Sequence, residues 1–184
     1  MTRFSLALPL IALVACAPPT PLQQITVTGQ MTTSSLWVEH SRTTDPLKLM
    51  TIEAELGERG EMGSSTRYVG QRTASAVGKQ NYARTPQSVA SADSRNCSDF
   101  SNSGQAQKVF LALGGPISDP HNLDADGDGF ACEWGTQVRA SVRRAERARA
   151  SERSALIAAS RCYTGPRGGT YTITASGTRN YEGC

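Results

Sequence analysis

The stretch LDADGDGFACEW, residues 123–134, governs how the rest of the chain is read. Asp124, Asp126 and Asp128 fall at every second position, Gly127 and Gly129 stand among them, and Cys132 and Glu133 follow. Carboxylates held this close repel one another unless a cation lies between them. A chain wrapped around one ion presents alternate side chains inward. Calcium takes six to eight hard oxygen ligands at about 2.3–2.6 Å, which suits such a wrap. Gly129 stands where the chain must turn sharply, and Phe130 after it offers a backbone carbonyl.

The spacing is similar to the first half of an EF-hand-type loop, D-x-D-x-D-G, with Asp124, Asp126 and Asp128 at positions one, three and five. The second half departs from it. An EF-hand places a bidentate Glu at position twelve, whereas Glu133 falls at ten and nothing acidic follows at twelve. No ordinary second helix is expected to start in the usual register. A disulfide at Cys132 would instead pin the far end of the shortened loop. The ligand set is therefore Asp124, Asp126, Asp128, the Phe130 carbonyl and Glu133, with Ca2+ as the ion.

Around this loop the chain is poor in core formers. It has 184 residues, 38% hydrophobic but only 6% aromatic, which points to small modules joined by irregular segments. The net charge of +3 is too mild to imply a nucleic-acid partner. Residues 1–15 have a basic start (Arg3), an apolar run over residues 4–14 and small residues before Cys16, the pattern of a secretory signal. The run is about half of the roughly 20 residues that span a bilayer. Leu13, Val14, Ala15 and Cys16 resemble the bacterial lipobox. That resemblance implies lipidation of Cys16, a lasting membrane anchor and, with Ala17 next, release to the outer membrane. The alternative is an ordinary signal peptide with an incidental Cys16.

Five cysteines are an odd number for an exported chain. With Cys16 lipidated, Cys97, Cys132, Cys162 and Cys184 remain, and four cysteines allow three pairings. The nearest-neighbour solution joins Cys97 to Cys132 and Cys162 to Cys184, each bridge closing a segment too small to hold itself. Zinc is disfavoured because it needs tighter Cys spacing and histidine partners, and only His40 and His121 exist.

Residues 17–24 (APPTPLQQ) read as a Pro-rich stalk, and residues 25–44 as a Thr/Ser-rich linker with a short apolar patch at Leu36, Trp37 and Val38. A helix of three turns is expected after Asp45, a good N-cap, with Pro46 at its first position and Gly57 just past its end. Leu47, Met50 and Ala54, with Leu49 and Leu56 beside them, form its apolar stripe. Residues 58–95 carry a short strand near residues 67–69 and no assignable chemistry. Residues 135–161 read as a solvated Ala/Arg-rich spacer helix with seven Arg against two Glu, able to face anionic envelope polymers or simply water.

Residues 96–134, NCSDFSNSGQAQKVFLALGGPISDPHNLDADGDGFACEW, resemble the Excalibur domain, a small extracellular calcium-binding module. The likeness includes Cys97, a helix over residues 105–113, the turn at Asp119, Pro120 and His121, and the D-x-D-x-D-G-x-x-C-E loop. It implies ligation by the three aspartates and Glu133 and a structural disulfide between Cys97 and Cys132. His121 reads as a turn residue, since calcium prefers oxygen.

Residues 162–184 alternate over Tyr171, Thr172, Ile173 and Thr174, turn at residues 175–177 and return, a β-hairpin signal. The segment resembles the short basic adaptor domain of large-DNA-virus and bacterial surface proteins. That implies an adaptor without catalysis, with Arg167, Arg179 and Tyr171 able to grip an anionic or glycan partner. A stapled cap without ligand is the plain alternative.

The expected fold is small α+β: disulfide-stapled modules in a largely irregular chain. Its divisions are signal peptide (1–15), stalk (16–44), a helix with an irregular region (45–95), calcium module (96–134), helical linker (135–161) and hairpin adaptor (162–184). The expected function is a non-catalytic calcium-binding lipoprotein of the bacterial envelope, in the outer membrane or periplasm. Its partners are the membrane and an anionic polymer or surface protein. The rivals are an accessory or remnant of a secreted nuclease or hydrolase, and a structural lipoprotein without an ion. Only roughly 70 residues separate the Pro-rich stretch ending at Gln24 from Cys97, with no nucleophile motif, which argues against an enzyme.

Overall fold

The computed structural model describes residues 19–82 and 94–184. The expected signal peptide, Cys16 and the first stalk residues lie outside the described residues.

Asp45 caps the helix expected after it. Its carboxylate accepts from the N–H groups of Leu47 (2.9 Å) and Lys48 (3.3 Å), and Pro46 opens the helix. This helix, α3 (Pro46–Glu58), is the hub of the fold. From Thr51 to Leu56 every side chain is buried, the mark of a helix surrounded by protein. α1 (Pro21–Gln30), α2 (Thr33–Arg42) and α4 (Ser103–Ala112) all pack on it.

The stalk expectation for residues 21–42 is corrected. Thr20 and Gln23 form a capping box around Pro21, and Thr32 caps α2. Leu36, Trp37 and His40 of α2 are buried. Threonine-rich sequence has weak helix propensity, and burial of that face against α3 overrides it.

Two apolar clusters form the core. The larger joins Leu36 and Trp37 of α2, Ile52 and Leu56 of α3, Val69 and Val77 of the intervening segment, and Phe130, Trp134 and Val138. The smaller joins Ala54, Phe110, Leu111, Leu123 and Ala131. Both run across the division drawn at residues 95/96, so the acidic loop belongs to a larger helical body. Residues 62–82 are irregular, and the strand expected near residues 67–69 is only an isolated bridge between Gly63 and Tyr68.

The helix expected over residues 135–161 begins directly after the loop, as α5 (Trp134–Ala159), and is not set back from it. Nor is α5 purely a spacer, because Trp134, Val138 and Ser141 are buried before its Arg-rich remainder emerges into solvent. The C-terminal segment has three strands rather than two. β1 (Tyr163–Thr164), β2 (Thr170–Ile173) and β3 (Arg179–Asn180) form an antiparallel sheet in that order, resting against α5. The architecture is thus α+β, five α-helices and one small sheet among the described residues, with disulfides Cys97–Cys132 and Cys162–Cys184.

Candidate metal centre

The acidic loop is held at both ends. At its start the Asp119 carboxylate accepts the N–H groups of Leu123 and Asp124, both at 2.9 Å. At its far end the Cys132 N–H donates to the Leu123 carbonyl (2.7 Å), and the Cys97 disulfide fastens the same residue. Cys132 sits at φ +53°, a left-handed conformation that costs energy for a non-glycine residue, and the bridge and this hydrogen bond hold it there.

Within the loop, Asp124 Oδ1 accepts from the N–H groups of Gly127 (3.0 Å) and Asp128 (3.2 Å), and Oδ2 from Gly129 (2.8 Å). Asp128 Oδ1 accepts from Phe130 N–H (2.8 Å), and its Oδ2 from Gly78 N–H. These bonds fold the chain so that Asp124, Asp126 and Asp128 each offer an oxygen, all within 4.8 Å of one another. Oxygens that share one calcium ion lie no more than about 5 Å apart at its usual ligand distances. A hard, all-carboxylate donor set of that span fits calcium. Asp124 and Asp128 are buried and Asp126 is exposed, so the cluster opens to solvent on the Asp126 side.

The electrostatics agree with a cation site. Burial pushes the Asp124 carboxyl up to about 6; the Gly129 N–H opposes the rise and the Asp128 charge adds to it. Burial also raises Asp128, against the N–H groups of Gly78 and Phe130 and with the help of Asp126. A divalent cation would offset the burial that dominates both shifts and the smaller repulsion that adds to them.

The other expected ligands stand differently. Phe130 is buried in the larger core cluster. Glu133 is exposed at the start of α5 and stands outside the carboxylate group of the three aspartates. His121 is not in that group either; its Nδ1 accepts from Ser94 N–H at 3.4 Å, a turn contact.

Two supports escaped sequence reading. Gln107 of α4, fully buried, donates from Nε2 to the Gly129 carbonyl (2.9 Å) and accepts at Oε1 from Ala131 N–H (2.6 Å). Its signal was faint: one of two amides, Gln105 and Gln107, in α4. The other is residues 76–82, which lie over the loop.

In the C-terminal sheet, the Arg179 guanidinium stacks over the Tyr171 ring at 4.9 Å. Tyr163 and Tyr181 flank the same ring at 5.6 and 5.4 Å. Arg167 is exposed in the turn between β1 and β2. Among the described residues no helix is long and apolar enough to cross a membrane.

A family model described as the Excalibur calcium-binding domain matches residues 94–133. No curated protein and no solved structure matches the chain.

Proposed function

We propose that the protein is a non-catalytic calcium-binding protein of the bacterial envelope. Its ion is held by Asp124, Asp126 and Asp128, the Phe130 carbonyl and Glu133, in an EF-hand-like loop shortened by the disulfide. The observation that carries this reading is the convergence of three carboxylates inside the segment that matches a calcium-binding family. Glu133 is assigned as the ligand that turns inward when calcium binds. The ion supplies positive charge that the loop lacks and so stabilises the fold around it.

Export and lipid anchoring through Cys16 complete the proposal. Two disulfides support an oxidising compartment. The C-terminal sheet is proposed as an adaptor for an anionic envelope polymer or surface protein, through Arg167, Arg179 and Tyr171. Its support is the stacking of the exposed Arg179 guanidinium over the half-buried Tyr171 ring.

Calcium titration calorimetry on the full oxidised chain tests the central claim. One-to-one binding with Kd on the order of 10⁻⁴–10⁻³ M is expected, the range of extracellular modules. It should be lost in Asp126→Ala/Asp128→Ala. An absence of heat up to several millimolar calcium would sink the proposal.

A further inference from the structure

The matched family segment begins at residue 94, yet the acidic loop is bonded by a stretch well before it. Gly78 N–H donates to Asp128 Oδ2. Asn81 and Tyr82 N–H both donate to the Gly127 carbonyl, at 3.0 and 3.1 Å. The Tyr82 ring lies so close over Gly129 that a Cβ there would stand 2.9 Å from it. The stretch is itself anchored: Val77 belongs to the larger core cluster, and its carbonyl accepts from the Arg139 guanidinium of α5.

We propose that residues 76–82 form a clamp that completes the calcium site from outside the family segment, so that ion binding and clamp docking are coupled. This rests on the calcium reading above. The physical argument is orientation. A carboxylate that ligates a metal is positioned by what its remaining lone pairs accept. Asp128 has one such bond from within the loop, Phe130 N–H, and one from the clamp, Gly78 N–H. The clamp also fixes the Gly127 peptide, midway between Asp126 and Asp128. Gly78, Asn81 and Tyr82 are positioning residues, and none of them is assigned as a ligand. In the reverse direction, an ion that fixes the Asp128 carboxylate also fixes the acceptor of the Gly78 N–H. Calcium should therefore hold residues 76–82 down, by the reciprocity of linked equilibria.

Two variants loosen the clamp without touching a carboxylate: Tyr82→Ala removes the ring over Gly129, and Arg139→Gln loosens the hold on Val77. Both are compared with the full oxidised chain by calcium titration, after circular dichroism and thermal unfolding have confirmed a cooperative fold. Each should weaken calcium binding roughly tenfold, the lower end of the usual loss for a second layer of metal support. Hydrogen–deuterium exchange supplies an independent readout. At ten times Kd, calcium should slow exchange of the Gly78, Asn81 and Tyr82 amides about tenfold, by mass action on an opening that releases the ion. The Val69 amide, bonded to the Met62 carbonyl, should change little. Calcium binding at wild-type affinity in both variants, with those three amides unchanged by calcium, would overturn the clamp and leave the calcium site standing. No calcium binding by the unaltered chain would overturn both.

Discussion

Gly57 sits inside α3, where glycine costs about 1 kcal/mol against alanine. Its reason is the indole of Trp134: a Cβ built at Gly57 would lie 2.1 Å from that ring. The sequence pattern placed Gly57 just past the helix, but the helix continues to Glu58 and the left-handed residue is Gly60, at φ +76°. Propensity alone predicts that Gly57→Ala stabilises. Packing predicts the opposite, a loss of about 1–3 kcal/mol from overfilling the core. Thermal unfolding of the variant decides between them, and an unchanged or raised Tm would refute the packing argument. A second expectation concerns Asp124, whose carboxyl burial lifts to about 6. The ordinary unfolded value is near 3.9, so between the two the folded, ion-free chain binds the extra proton. Its stability should therefore fall as pH rises from about 4 to 6 and stay low above that. Calcium demands the ionised form, so its affinity should fall as pH drops through about 6. Calcium titrations at pH 5 and pH 7 check the sign; equal affinities would show that protons do not compete.

Between helices, the tie is Glu53. It is 1% exposed, and its Oε1 accepts from Gly70 N–H at 3.0 Å and meets His40 Nε2 at the same distance. Its Oε2 accepts from the Thr73 hydroxyl. One side chain thus fastens α2, α3 and residues 62–82. Arg67 and Arg72 add to the hold, donating to the Trp37 and Thr43 carbonyls of the α2 region, both at 2.8 Å. Glu53→Ala strands several buried donors at about 1–3 kcal/mol each. A loss on the order of 3 kcal/mol in urea unfolding is expected, and a loss under 1 would mean that water replaces the carboxylate. This network also explains what was legible beforehand. α3 announced itself through Asp45, Pro46 and its apolar spacing, and the aspartate cluster through its alternation, because those signals are local. α1 and α2 were hidden by threonines whose helicity depends on burial. Residues 62–82 have no period to read, since their place is set by Glu53, Arg67 and Arg72 reaching across more than a dozen residues of sequence. Gln107 and Gly78 support the loop through contacts that no short window of sequence contains.

The two disulfides occupy different parts of the molecule, and their loss should be felt differently. Cys97–Cys132 spans 35 residues and ends in the acidic loop, whose Phe130 and Ala131 sit in the two core clusters. Cys162–Cys184 spans 22 residues and closes the C-terminal sheet, which contributes no residue to either cluster. Closing loops of these lengths stabilises by similar amounts in the chain-entropy model, about 4 and about 3 kcal/mol. What differs is which folding transition feels it. Stability of one cooperative unit is indifferent to a constraint placed in another. Cys97→Ser/Cys132→Ser should therefore lower the main thermal transition and weaken calcium binding, because the far end of the loop loses its anchor. Cys162→Ser/Cys184→Ser should melt the three short strands, which are too small to persist unaided, while the main transition and the calcium titration stay as they were. Calorimetric melting of both variants beside the parent chain, with tyrosine fluorescence to follow the cluster of Tyr163, Tyr171 and Tyr181, separates the two units. If removal of the C-terminal bridge lowers the main transition as far as removal of the other, the sheet and the helical body fold as one unit, and the contact between β2 and α5 is stronger than its exposed surroundings imply.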